Sequence, residues 1–231
     1  MTFDQARRVA DAVLTEGSSL HPYCTPATRN HVRWQFGVLA PPNAGTEHIS
    51  KARTECLLLG NHGTPLDIRL RLLRLRTTND QHEPGPPEEI DVPATLGHPC
   101  ETAFELPTTH HEHGHQQAQS GLIRISAQPL DQQLWRLRID IENRTHWGRT
   151  TRTTPDAALT RSMISTHTLL AARDATFLSL LDPPHWARPA AENCHNQHTW
   201  PVLVGQHKQV MLSSPVILYD NPEQELLETR A

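Results

Sequence analysis

The chain has little lysine, few aromatic residues and no long apolar run. Lysine occurs only at Lys51 and Lys208, so arginine carries nearly all of the positive charge. Acids outnumber bases and the formal net charge is −4, a balance that does not favour nucleic acid or an anionic membrane as partner. No stretch approaches the ~20 apolar residues of a membrane span, so no membrane insertion is expected. The opening Met1-Thr2-Phe3-Asp4-Gln5 lacks the basic-then-apolar layout of a signal peptide. The four cysteines, Cys24, Cys56, Cys100 and Cys194, are scattered with no C-x-x-C, which reads as reduced thiols in a cytoplasmic protein. No Walker loop, G-x-G-x-x-G, G-x-S-x-G or H-E-x-x-H is present, so nothing points to a nucleotide site or to the common hydrolase machinery. No period of 20–50 residues recurs, which excludes a repeat architecture. Aromatics make up 5% and apolar residues 36% of 231 positions, enough for a core only if much of the chain stays outside it.

What is present is alternation. In His31–Leu39, Val32, Trp34, Phe36 and Val38 share one face and His31, Arg33, Gln35 and Gly37 the other, the pattern of a half-buried strand. Thr54–Leu59 and Leu66–Arg76 predict two more strands around the turn Asn61-His62-Gly63. The apolar phase of the second slips at Leu73, which suggests a β-bulge. Ile123, Ile125 and Ala127, then Trp135, Leu137, Ile139 and Ile141, predict a hairpin over 121–143. Ile164–Ala172 and Thr176–Leu181 predict another around Arg173-Asp174-Ala175, with a continuous helix as the competing reading. Trp200–Val204 and Gln209–Leu218 predict the last strands, with Pro215 implying an edge or a bulge. Helices are expected over Thr2–Glu16, with stripe Phe3, Ala6, Ala10, Val13 and Leu14, from Pro155 to about Ser162, and as a turn in Ala187–Cys194. Residues 77–120 hold six prolines and few apolar side chains; Ala103-Phe104-Glu105-Leu106 could be one short strand, and the rest predicts a long, partly disordered insertion. The expected fold is α+β: mainly antiparallel β, sandwich-like or a highly curved sheet, with an N-terminal helix and one or two short helices. It is expected to be a single domain over 1–231, with Trp34, Phe36, Trp135, Leu137 and Ile139 in one core.

Three constellations could carry chemistry. The tract His110-His111-Glu112-His113-Gly114-His115 is dense enough in imidazole to hold nickel or zinc; a polar insertion without a role is the plainer alternative. Cys194 with His195 and His198 could supply metal ligands or a thiol nucleophile with a histidine base, against the alternative of an inert loop cysteine. Asp182, His185 and Asp220, with Ser213-Ser214, could form an acid–base site, but none lies in a recognised motif. Arg69, Arg71, Arg136 and Arg138 read as outward arginines balanced by neighbouring acids.

Four stretches carry a resemblance. They are Leu20-His21-Pro22-Tyr23 running on to Arg33-Trp34-Gln35-Phe36-Gly37-Val38-Leu39; Thr166-His167-Thr168-Leu169-Leu170 with Ser179-Leu180-Leu181-Asp182-Pro183-Pro184; Thr199-Trp200-Pro201-Val202-Leu203-Val204-Gly205; and Leu212-Ser213-Ser214-Pro215-Val216-Ile217-Leu218-Tyr219-Asp220. Together they resemble a family of uncharacterised proteins encoded within NiFe-hydrogenase gene clusters, especially in actinobacteria. The resemblance spans most of the chain outside 77–120. It implies an accessory, assembly or associated protein that binds a hydrogenase subunit or maturation factor, and it transfers no catalytic residue. Candidate partner-binding residues on or beside these stretches are Tyr23, Arg33, Asp182, His185, Trp186 and Tyr219. Two departures stand out. Family members usually read aromatic-Pro-Tyr-Arg where this chain has His21-Pro22-Tyr23-Cys24, and they usually continue past Tyr219-Asp220 with a long acidic tail. If that tail docks onto a partner, the resemblance implies a divergent or weakened copy.

Overall fold

A computed structural model describes residues 3–16, 36–45, 48–78, 81–111, 114–148 and 155–222. The architecture is α+β and mainly antiparallel. Helix α1 (Asp4–Glu16) is followed by β1 (Lys51–Leu59), β2 (Pro65–Leu73), β3 (Leu75–Thr78), β4 (Gln81–Pro84), β5 (Glu88–Thr95), β6 (Cys100–Leu106), β7 (Thr109–His111), β8 (Gly114–Gln116), β9 (Gln119–Pro129) and β10 (Leu134–Asn143). The short helix α2 (Pro155–Leu159), β11 (Ile164–Ala172), β12 (Thr176–Leu178), a 3-10 turn (His185–Ala187), α3 (Arg188–Glu192), β13 (Trp200–Val204) and β14 (Val210–Ser214) complete the order. None of the described helices is long and apolar enough to cross a membrane.

Two five-stranded sheets share the main core. Their orders are β12-β1-β10-β9-β6 and β13-β14-β11-β2-β5. The first contributes Cys56, Leu58, Ile123, Ile125, Trp135, Leu137, Ile139 and Ile141, and the second Leu66, Ile68, Leu70, Leu72, Val92, Leu170 and Met211. Alternation sets which residues these are. In β10, Trp135 pairs Leu58, Leu137 pairs Cys56 and Ile139 pairs Thr54, while Arg138 and Asp140 point away. The outer side of β10 is a charged ladder: Asp140 accepts from Arg53 and from Arg138, each at 2.7 Å. Burial pulls the Asp140 carboxyl upward, but these two guanidinium groups outweigh it and hold it below the usual carboxylate range.

Strand β11 is buried at all nine positions. Its inner residues Leu170 and Ala172 enter the main core, and its outer Leu169 and Ala171 lie under Phe3, Ala6, Val9 and Ala10 of the N-terminal segment. A small second cover on the first sheet packs Ala187 and Ala191 on Leu57, Leu134 and Leu178.

The structure corrects several expectations. Residues 31–35 of the expected strand, Trp34 among them, lie outside the described residues. Its remaining part bends at Gly37 (φ +57°) and is tied to the start of β11 by an isolated bridge between Leu39 and Met163 and by the Phe36 and Gly37 carbonyls, which accept from Ser165 and Thr166 N–H (2.9 and 3.2 Å), so it is not a regular strand there. Phe36 is half-buried and stands outside the main core, which does take Trp135, Leu137 and Ile139. At the phase slip the pairing of β2 with β11 shifts register, between Arg71–His167 and Leu73–Ile164, and the chain then changes sheet at Arg74: β2 ends, and β3 joins a third sheet of order β4-β3-β8-β7. The described residues of the expected insertion are mostly strands, β4 to β8 and the start of β9. Strands β5 and β6 bury only one side, through Val92, Ala94 and Phe104, so their sequence reads as polar. Pro93 is tolerated because β5 is an edge strand. Strands β11 and β12 do not form a hairpin: β12 pairs β1, so Arg173-Asp174-Ala175 carries the chain from one sheet to the other. Strand β14 is interior and stops at Ser214, one residue short of Pro215, so the missing proline N–H interrupts no ladder.

Candidate functional site

The histidine tract is divided by its own secondary structure. It forms the hairpin β7–β8, where His110 pairs His115 and His111 pairs Gly114. His110 and His115 therefore project from one face, with ring centroids 6.4 Å apart, while His111 projects from the other and meets Gln116 Oε1 at 3.2 Å. His113 lies outside the described residues. The third sheet adds His82 to the row, because Thr77 pairs both His82 and His115. Among the described residues, no group of three or more His, Cys, Asp or Glu side chains converges to hold a metal ion.

The other constellations come apart for separate physical reasons. Cys194 caps its short helix, its thiol donating to the Ala190 carbonyl at 3.6 Å. Burial, reinforced by the nearby Glu55 carboxylate, pushes that thiol up to about 11, well away from a thiolate nucleophile. His195 meets Glu55 through its backbone N–H (2.8 Å), and the Cys194 thiol is engaged by the Ala190 carbonyl and not by a histidine base. Ser213 is fully buried between the sheets, where its hydroxyl is shared by Thr54 at 2.8 Å and Thr199 at 2.7 Å. These hydroxyls satisfy one another between the sheets. Of the four arginines, Arg69 pairs Asp91 and Glu89, Arg138 pairs Asp140, and Arg136 meets Gln128 and the Asn193 carbonyl. Arg71 differs from the expectation of an outward group: it is buried and paired with Asp11.

The described partner-binding candidates gather around one latch. After β12 the chain turns, and Ser179 Oγ accepts from the backbone N–H groups of Leu181 (3.1 Å) and Asp182 (2.8 Å). The Ser179 hydroxyl donates to Asp220 Oδ2 at 2.5 Å, and Asp220 Oδ1 accepts from the backbone N–H of Leu203 at 2.8 Å. Asn221 N–H adds a bond to the Leu203 carbonyl (2.8 Å), so the C-terminal segment closes part of the free edge of β13. Asp220 is thus engaged as a clamp, which removes it from an acid–base site with Asp182 and His185. The latch brings the 179–186 segment, with exposed Asp182, His185 and Trp186, beside the segment bearing Tyr219. Trp186 is 56% exposed and Tyr219 67%, and Leu181, Trp200 and Ile217 are also large, apolar and exposed. Tyr23 and Arg33 lie outside the described residues. The sequence did not single out Ser179, Leu181, Trp200 or Ile217 as site residues. An aromatic at the outer phase of an edge strand is the one signal that could have flagged Trp200.

The chain matches no protein-family model, and no curated protein matches it significantly.

Proposed function

We propose that this is a non-enzymatic, cytoplasmic accessory, assembly or associated protein of a NiFe-hydrogenase system that binds a hydrogenase subunit or maturation factor. The hydrogenase context comes from the sequence resemblance. The binding surface is supported by one observation: the Ser179–Asp220 latch sets Trp186 and Tyr219 in solvent on adjoining segments. Large aromatic side chains are the residues that most often anchor protein interfaces, because each buries much area at little cost in side-chain freedom. Two of them exposed on segments tied to an edge strand suit a protein partner better than a small molecule.

The test is co-purification of tagged protein from its native host under mild conditions, with mass spectrometry of what is retained. Wild type is expected to retain a hydrogenase or maturation polypeptide, and a Trp186→Ala, Tyr219→Ala double variant to retain roughly tenfold less or lower still. Both residues are exposed, so unchanged circular dichroism shows that the variant is folded. Recovery of no such polypeptide by wild type overturns the proposal, and equal recovery by both proteins moves the surface elsewhere. An alternative reading, nickel or zinc binding by the histidine tract, is favoured only by the His110–His115 pair. Calorimetry on a variant with alanine at positions 110, 111, 113 and 115 tests it, and unchanged affinity removes it.

A further inference from the structure

A second histidine pair lies outside the tract, on one end of the sandwich. His62 sits in the β1–β2 turn and His98 in the β5–β6 turn. The two turns are tied together: Gly63 N–H donates to the Leu96 carbonyl, and Leu96 N–H to the Thr64 carbonyl, each at 2.9 Å. Each turn is closed on itself as well, by Thr64 N–H to the Asn61 carbonyl (3.1 Å) and His98 N–H to the Thr95 carbonyl (3.0 Å). Gly97 is required twice over. Its φ of +87° belongs to the left-handed region, and a Cβ there would come within 2.6 Å of His62 Nε2. Beneath the pair, Trp135 packs 6.0 Å from the His62 ring and donates its indole N–H to the Gly60 carbonyl at 3.0 Å.

The two exposed imidazoles have their centroids 4.8 Å apart, with their planes inclined by 65°. With metal–nitrogen bonds of about 2.0–2.1 Å, two imidazoles on one ion at a right or tetrahedral angle hold their centroids roughly 4.5–5 Å apart. The His62–His98 centroids lie within that range, in an edge-to-face contact, whereas the His110–His115 centroids at 6.4 Å do not. Neither turn carries a charge: the flanking residues are Gly60, Asn61, Gly63, Thr64, Thr95, Leu96, Gly97 and Pro99. Within the two turns the imidazoles are the strongest metal donors, and they suit a late first-row cation better than calcium or magnesium.

We propose that His62 and His98 form a two-imidazole chelate for a late first-row divalent cation such as Ni²⁺ or Cu²⁺. Water completes the coordination sphere. Two protein ligands are too few for a structural zinc centre, which takes four, so the site is an exchangeable one that captures and releases its ion. Rigid turns already at the bound spacing remove most of the ordering cost that a flexible histidine tract would incur.

The test is isothermal titration of the full-length protein with Ni²⁺, comparing wild type, His62→Ala, His98→Ala and the double variant. A separate His110→Ala, His115→Ala variant identifies heat that comes from the tract. Each single substitution is expected to abolish one set of sites or weaken it roughly tenfold or more, and the double variant to match the singles, because a chelate is lost when either arm goes. Melting without metal should be nearly unchanged in all of them, since both side chains are exposed, and added Ni²⁺ should raise the wild-type Tm more than that of the variants. Effects that simply add indicate two independent histidines and overturn the chelate. Titrations identical to wild type in all three variants show that the rings are only packed against each other.

Discussion

The sandwich and the small β4-β3-β8-β7 sheet are both antiparallel, yet they cohere by different means. Between the two large sheets the contacts are aliphatic and aromatic, drawn from nearly every strand. The small sheet has little such material, its apolar anchor being Leu75 against Leu73 and Ile164. In its place a buried guanidinium acts as hub. Arg74, 3% exposed, donates to Glu88 (2.5 Å), to the Pro107 carbonyl (2.7 Å) and to the Gln117 carbonyl (3.3 Å). Its own carbonyl accepts from Gly85 N–H (2.8 Å) and Gln116 Nε2 (3.2 Å). Apolar contact is non-directional and spreads over many residues, whereas a hydrogen-bonded hub concentrates its effect in one. The first kind of region should lose stability by area, the second by disconnection.

The largest expected effect is in the sandwich. Trp135→Ala should cost about 3–5 kcal/mol, from the cavity and from the lost bond to the Gly60 carbonyl. Chemical denaturation checks it, and a loss under about 1 kcal/mol would mean that the two sheets do not depend on this ring.

Next is a polar group on the α1 side of the same sandwich. His167 is fully buried on β11, where its Nδ1–H donates to the Ser165 carbonyl at 2.7 Å and its Nε2 has no partner. Burial, with the nearby positive charge of Arg71, lowers its pKa from 6.5 to about 4, despite the opposing Ser165 bond. Between those two values the unfolded chain holds the proton and the folded chain does not, so stability rises with pH. The contribution is complete above pH 6.5 and is lost as pH falls from there to about 4. It amounts to roughly 3 kcal/mol. Denaturation midpoints across that window should fall for wild type and stay flatter for His167→Leu; parallel curves would show that carboxylates elsewhere govern acid stability.

The smallest global effect belongs to the hub. Arg74→Ala should cost roughly 2–3 kcal/mol, less than a fully buried ion pair because Glu88 is part-exposed and can rehydrate. Its signature is local: amide exchange in β4, β7 and β8 should speed up while β9 and β10 stay protected. Uniform loss of protection would show that the small sheet and the sandwich unfold as one.

The same contrast explains which parts were legible. Strands β9 and β10 were read closely because each hides one face and shows the other, so period-two alternation survives in the residues, whereas β1, buried on both faces over 54–58, was read from its short apolar run. Strand β5 was missed and β6 was read only over 103–106, because they bury a single apolar residue here and there, and β7 and β8 were missed because three-residue strands carry no period. The latch was invisible for another reason. Ser179 and Asp220 are 41 residues apart, and a serine and an aspartate at that separation have no pattern.

The sequence by itself determined the α+β class, the N-terminal helix, the 121–143 hairpin and the inward faces of its longest strands, because hydrophobic periodicity is local and each segment states its own. Tertiary structure decided the rest. It sent β12 to β1 instead of β11, turned a phase slip into a change of sheet, split the histidine tract between two faces, and set His62 against His98. Those outcomes depend on which edges and turns meet in space, and strand pairing and hydrogen-bond partners are chosen among all the chain's segments at once.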